Sequence, residues 1–327
     1  MPLDKSKVHK ILVISLSNIG DVIASFPVVD ILCEEFPEAK ISMVVGPKAK
    51  SLFHQNPYLD TIYFYDKHQS LREKIRWTLE LRRQNFDLVI DLRFTVIPFF
   101  LKARYRTFVQ LRSYRHLHMV DKHLERLKTI VPDRNKARHC YALFIPDEAK
   151  EHVRRLREQN VGEKGKFAVI APGAADHRKR WHEEGFAEVC TRLEQDYQCR
   201  PVFVGNEHDH ALVERIARLM KKNVIDFCGQ TRLIELAELL KYSALAIVND
   251  SSAMHLASYL DIPTVALYGP TEPIGSHPWS SRARYIRKNQ QCVACQTKQL
   301  DDEHTCMHAI SGSEVWKLIE DLQIFKK

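Results

Sequence analysis

Lys10-Ile11-Leu12-Val13-Ile14-Ser15-Leu16-Ser17-Asn18-Ile19-Gly20-Asp21 reads as a strand running straight into a helix. The apolar run over 10–16 has the pattern of a strand buried on both faces, as in a parallel sheet. Ser17 to Gly20 supply the turn, and the pattern beyond predicts a helix over 21–36. The same grammar continues: strand 39–45, a short helix 49–54 ahead of Asn56-Pro57, strand 61–65, a helix 71–85 carrying a Leu71, Ile75, Leu79 stripe, and strand 87–92. Alternation of strand and helix through short connections implies a parallel sheet wrapped by helices.

The second half repeats it, with strands at 166–171, 201–204, 224–227, 245–248 and 264–268 and helices at 181–197, 208–220, 233–242 and 252–260. Each half therefore reads as a doubly wound α/β sheet, and the two are expected to face each other across a cleft at the carboxyl ends of their strands. Ile145-Pro146-Asp147 and the polar turn Val161-Gly162-Glu163-Lys164-Gly165 mark a joint within 146–165. The expected division is 1–155 and 156–327, with a closing helix at 313–325 able to pack on either half.

A length of 327 residues fits two domains of about 150 residues each. With 45% hydrophobic and 28% charged residues the chain has enough apolar material for two cores, which excludes a disordered or disulfide-stapled chain. Apolar stretches such as 94–101 and 262–268 fall well short of the roughly 18 residues a membrane-spanning helix needs. The basic and then apolar start imitates a signal peptide, but Asn18 and Asp21 interrupt it and no small-x-small cleavage site follows. A cytosolic chain is therefore expected, with Cys33, Cys140, Cys190, Cys199 and Cys228 as buried thiols.

Charge is uneven. Residues 1–160 carry 28 Lys and Arg against 19 Asp and Glu, whereas 161–327 carry 21 against 22. The excess is densest over 102–138, where 11 cations meet only Asp121, Glu125 and Asp133. Such a field suits an anionic partner: a phosphorylated or carboxylated glycan, a lipid headgroup surface or nucleic acid. The plain alternative is a solvated face.

Three motifs sit where strands turn into helices. Ser15 to Asp21 has a single glycine and no G-x-G-x-x-G, which argues against a dinucleotide site. On spacing alone Asp21 also fits a helix N-cap or first-turn acid. Ala171-Pro172-Gly173-Ala174-Ala175 leads into Asp176-His177-Arg178-Lys179-Arg180-Trp181, small residues followed by three cations able to neutralise a diphosphate without metal. No Asp-x-Asp pair is present to hold a divalent ion. Val248-Asn249-Asp250-Ser251-Ser252-Ala253-Met254-His255 ends a strand and opens a helix, with free N–H groups toward a ligand and His255 in the first turn or so.

Together with Gly205-Asn206-Glu207 and Tyr268-Gly269-Pro270-Thr271-Glu272-Pro273, these motifs resemble the heptosyltransferases of glycosyltransferase family 9, in order from about residue 10 to 325. The resemblance implies a GT-B architecture with an N-terminal acceptor domain and a C-terminal nucleotide-sugar domain. It implies inverting, metal-independent transfer of heptose from ADP-heptose to the lipopolysaccharide inner core, with no cofactor. By position, Asp21 looks like the general base, Lys179 the donor phosphate ligand, Glu207 the ribose ligand, and Asp250, Ser251, Ser252 and His255 the pyrophosphate and sugar cradle, with Arg180 also donor-binding. Asn18, Arg104, Arg106, Arg112 and Arg115 are candidates for a lipid-linked anionic acceptor, at the inner face of the inner membrane. The chain departs from the family in Ala174-Ala175, where a hydroxyl residue is usual, and in Ser251-Ser252, where Thr-Gly or Ser-Gly is usual. The first removes phosphate hydrogen bonds, and the second adds a Cβ; backbone N–H groups survive both.

Cys292, Cys295, Cys306 and His308 have a spacing that allows a Cys3His zinc site, but structural thiols are the default and no metal is expected. Other readings are a GT-B enzyme that uses another nucleotide sugar or epimerises one, and a binding relative without transfer. Nucleic acid is not expected as a partner, because 102–138 contains no recognition module.

Overall fold

The computed structural model describes residues 3–15, 18–66, 68–107, 116–132, 137, 139–288, 292 and 305–325. The chain divides into two units, Met1–Pro146 and Asp147–Lys327.

The first unit runs β1 (Lys10–Ser15), α1 (Ile19–Ile23), α2 (Phe26–Glu35), β2 (Lys40–Val45), a 3-10 stretch at Pro47–Phe53, β3 (Thr61–Phe64), α3 (Leu71–Arg82), β4 (Leu88–Asp91), α4 (Ile97–Phe100), β5 (Tyr105–Arg106) and α5 (Met119–Lys128). The sheet order is β3-β2-β1-β4-β5, and every pairing is parallel. Ile11 to Ser15 are all buried, as the apolar run requires of a central strand. The single helix expected over 21–36 is two. Pro27 in the first turn of α2 lacks the N–H a continuous helix would use, and the chain breaks at Ala24-Ser25.

The second unit runs α6 (Asp147–Asn160), β6 (Phe167–Ala171), α7 (Glu183–Tyr197), β7 (Arg200–Phe203), α8 (His210–Met220), β8 (Ile225–Asp226), α9 (Leu233–Tyr242), β9 (Leu245–Asn249), α10 (Ser252–Tyr259), β10 (Thr264–Tyr268), β11 (Ala283–Arg287), α11 (Thr305–His308) and α12 (Gly312–Asp321). Its order, β11-β10-β9-β6-β7-β8, is parallel throughout and is that of a dinucleotide-fold sheet, reversing direction between β6 and β9.

The division falls at Pro146, ahead of the expected 155, and the reason is packing. Helix α6 buries Ala149 and Val153 and packs on α9; the Arg157 guanidinium lies 4.1 Å from the Tyr242 ring centre, and His152 Nε2 is 3.0 Å from the Gln230 carbonyl. The closing helix α12 packs on α7, burying Val315, Trp316 and Ile319, with Tyr197 stacked on Trp316. Among the described residues no helix is long and apolar enough to cross a membrane.

Candidate active site

In an open parallel sheet, ligands bind beyond the carboxyl ends of the strands at the point where strand order reverses, because the two flanking loops part there. In the second unit that point lies between β6 and β9, so the geometry singles out residues 172–182 and 250–252. Asn249, wholly buried at the end of β9, ties both ends of the first loop: its Nδ2 donates to the Pro172 carbonyl (2.7 Å) and its Oδ1 accepts from the Trp181 N–H (3.2 Å). Held this way, Lys179 Nζ donates to Asp250 Oδ2 at 2.7 Å, joining the two loops.

Helix α10 starts immediately after. Its N-cap, Ser251, makes no capping hydrogen bond, and Ser251 Oγ is buried without a partner among the described residues. Ser252 is the first residue of α10 and His255 the fourth, with the imidazole 6.0 Å from Trp279. An uncapped helix start, a buried hydroxyl and an adjacent ammonium are groups of the kind that can take up an anion.

The three cations are not equivalent. Arg178 is bound to Asp176 (Nη2–Oδ2 2.6 Å), and this pairing holds the Asp176 carboxyl down at about 2. Arg180 donates twice to the Ala174 carbonyl, at 3.1 and 3.0 Å, and lies 3.7 Å from Asp209 Oδ1. Asp209, buried, accepts from the Asn206 N–H and Nδ2, and a Cβ at Gly173 would meet its carboxylate at 2.5 Å. Gly173 is thus needed for close approach, with Asp209 as the residue it accommodates. Glu207 is exposed on the turn after β7, beside Gly229, whose φ of +69° suits glycine.

In the first unit the order reverses between β1 and β4. Asp21 is the third residue of α1, not its N-cap; Asn18 holds that place, exposed and without a side-chain capping bond. Asp21 Oδ1 lies 3.8 Å from Arg93 Nη1, on the loop after β4. That loop is stapled by Asp91, which accepts from the Arg93 N–H (2.8 Å), the Thr95 N–H and Thr95 Oγ1. Burial raises the Asp91 carboxyl. The Arg126 guanidinium, 3.4 Å from the Phe94 ring centre, donates to the Leu92 carbonyl from α5, and desolvation lowers it to about 10.

The acceptor candidates separate. Arg106 donates to the Pro98 carbonyl and borders a depression with Asp91, Phe94 and Thr107. Arg104 precedes β5, whose Tyr105 pairs with Leu88 at the start of β4; it therefore stands at the opposite end of the sheet from Asp21, stacked on Tyr105. Arg112 and Arg115 lie outside the described residues, as does Cys295. Cys292 and Cys306 are buried in the apolar core of the second unit, whereas His308 is exposed and stacks on His182. The roles of Arg93 and Asn249 are not legible in the sequence because their partners are remote; Asp209 does carry a local signal, the Asn206-x-x-Asp209 capping box, but its approach to Gly173 is remote.

The sequence model of glycosyltransferase family 9 (heptosyltransferase) matches residues 75–305. Lipopolysaccharide heptosyltransferase 3 of Escherichia coli K12 is 27% identical over 290 residues, covering 80% of this chain and 83% of its own. Among solved structures, the family 9 glycosyltransferase of Veillonella parvula superposes with a TM-score of 0.77 at 22% identity, covering 96% of this chain and 97% of its own. The E. coli ADP-heptose lipopolysaccharide heptosyltransferase II does so at 0.71 and 22%, covering 96% and 98%. The fold is GT-B.

Proposed function

The chain belongs to glycosyltransferase family 9, and on that premise we propose that it moves a heptose from ADP-heptose to the lipopolysaccharide inner core, inverting the anomeric centre. The observation that carries this reading is the cradle at the β6–β9 reversal: Lys179, the buried Ser251 hydroxyl and the uncapped start of α10 together. That set suits a diphosphate, and the similar E. coli heptosyltransferase II is named for ADP-heptose.

In the reaction an acceptor hydroxyl attacks the anomeric carbon and gives its proton to the Asp21 carboxylate. The bond from that carbon to the nucleotide breaks, and the charge on the departing ADP falls to Lys179, Ser251 Oγ and the α10 N–H groups. Arg93, whose Nη1 lies 3.8 Å from Asp21 Oδ1, orients the base. Asp250 aims Lys179, His255 and Ser252 contact the sugar or its phosphates, Arg180 supports the loop through Ala174, and Glu207 binds the ribose. Asn18 and Arg106 contact an acceptor bearing carboxylates and phosphates, at the cytosolic face of the inner membrane.

The test is transfer to heptose-deficient core glycan with ADP-heptose against UDP- and GDP-sugars; turnover with ADP-heptose alone is expected. Asp21→Asn should lower turnover by about 10² to 10⁴ while ADP binding persists, the usual contribution of a positioned base. Near-normal turnover in that variant would remove Asp21 from the role.

A further inference from the structure

The geometry points to the outer face of α3, together with the exposed side chains of α4, as a surface that docks the protein on an anionic lipid bilayer. Helix α3 carries two apolar faces. Its inner face, Trp77 and Leu81, packs with Tyr65, Phe86 and Val89 over the sheet. Its outer face is the Leu71, Ile75, Leu79 stripe, where Leu71 is 74% exposed and the other two 52% each. A helix on a water-facing surface ordinarily buries one stripe and leaves the other side polar. Here α4, in contact with α3, adds Val96, Phe99 and Phe100, all more than half exposed, and Arg82 Nη1 donates to the Phe100 carbonyl between them.

Charge identifies the occupant. Over 71–83 the cations Arg72, Lys74, Arg76, Arg82 and Arg83 face only Glu73 and Glu80, and the Glu73 carboxylate is engaged by Ser70 in a capping box. Arg72, Ile75, Arg76, Leu79, Glu80 and Arg83 line a shallow depression. Aliphatic and aromatic side chains interleaved with basic ones suit a helix lying in a bilayer interface, apolar groups among the upper acyl chains and cationic heads at the phosphates. A second copy of this chain would bring the same five cations against themselves. A nucleic acid would leave the Leu and Ile side chains in water.

This inference rests on the proposed function and extends it, since it supplies the surface at which a membrane-held acceptor is met. Its test uses the full chain with neither donor nor acceptor, so the two readings fail separately. In co-sedimentation, the protein should bind phosphatidylglycerol-containing vesicles, prefer them to phosphatidylcholine vesicles, and release with added salt. Ile75→Ser/Leu79→Ser should cut vesicle partitioning by about tenfold or more at unchanged melting temperature. Arg72→Gln/Arg76→Gln/Arg83→Gln, which keeps the stripe, should lose the preference for anionic vesicles. Both variants should still transfer to a water-soluble, delipidated acceptor as the unmodified protein does. Equal affinity for neutral and anionic vesicles, wild-type binding in both variants, or a dimer that Ile75→Ser/Leu79→Ser dissolves would each overturn the assignment.

Discussion

Lys179 and Asp250 lie 71 positions apart in the chain and 2.7 Å apart in space. The Asp250 side chain is nearly buried, so Lys179 satisfies it and, in the proposed role, has further N–H groups for the donor phosphates. Lys179→Ala should weaken ADP binding by about 1.5–3 kcal/mol, the loss typical of a charge-assisted hydrogen bond. Calorimetry on Lys179→Ala, Asp250→Ala and the double variant should give non-additive losses, because the two share one contact; strict additivity would separate them. In the first unit His123 is wholly buried on α5, with Nδ1 3.2 Å from the Ala24 carbonyl and Nε2 unpartnered among the described residues. Burial, more than the nearby Arg126 and Arg93, lowers it to about 3. The unfolded chain therefore takes up a proton near pH 6.5 that the folded chain refuses until about 3. Stability is fully present above pH 6.5 and falls as pH drops through that window, by up to about 1.4 kcal/mol per unit. Denaturant titrations from pH 7 to 4 should show this slope, and His123→Asn should flatten it.

At the scale of elements, the loop between β6 and α7 works only because its backbone can approach Asp209. A methyl group at Gly173 would sit 2.5 to 2.6 Å from three atoms of that carboxylate, which is buried and pinned by Asn206. Gly173→Ala should destabilise by about 1–3 kcal/mol, as overpacking does, and should lower ADP affinity with it; an unchanged melting temperature would count against this reading. Helix α3 shows where sequence patterning stops. The i, i+4, i+8 spacing of Leu71, Ile75 and Leu79 predicted the helix correctly, yet the stripe faces outward while Trp77 and Leu81 face the sheet. Periodicity reports a face, not its partner. The basic run 102–138 is likewise not simply a solvated face, because Arg126 within it is buried between Phe94 and the Leu92 carbonyl.

Over the whole molecule, charge follows the division of the chain. Residues 147–160 hold four cations and four acids, so with the boundary at Pro146 the first unit still carries +9 and the second −1. The basic unit is the one bearing Asp21 and the α3 surface, and the nearly neutral unit bears Lys179, Ser251 and the start of α10, so the proposed anion site there relies on local groups instead of net charge. Saturating ADP should therefore stabilise the second unit by linkage. At 100 times the dissociation constant the gain is about 2.7 kcal/mol, a rise of roughly 5 °C or more in scanning calorimetry. Lys179→Ala should lose much of it at the same ADP concentration, and a rise of equal size with UDP would argue against an adenine donor.

The sequence by itself determined the two parallel α/β sheets, since apolar runs such as 10–16 and 166–171 between amphipathic segments admit no half-exposed strand. It also marked the strand ends from which the proposed site is built, because Gly, Pro, Asp and Ser clusters at those ends are local signals. Only the tertiary structure placed Arg93 beside Asp21, Lys179 on Asp250 and Asn249 across both ends of one loop. It alone placed α6 with the second unit, set α12 against α7, and turned Leu71, Ile75 and Leu79 outward. The physical reason is common to all of these: propensity and periodicity act over a few neighbouring residues, whereas partners between distant segments are chosen when the strands take their order in the sheet.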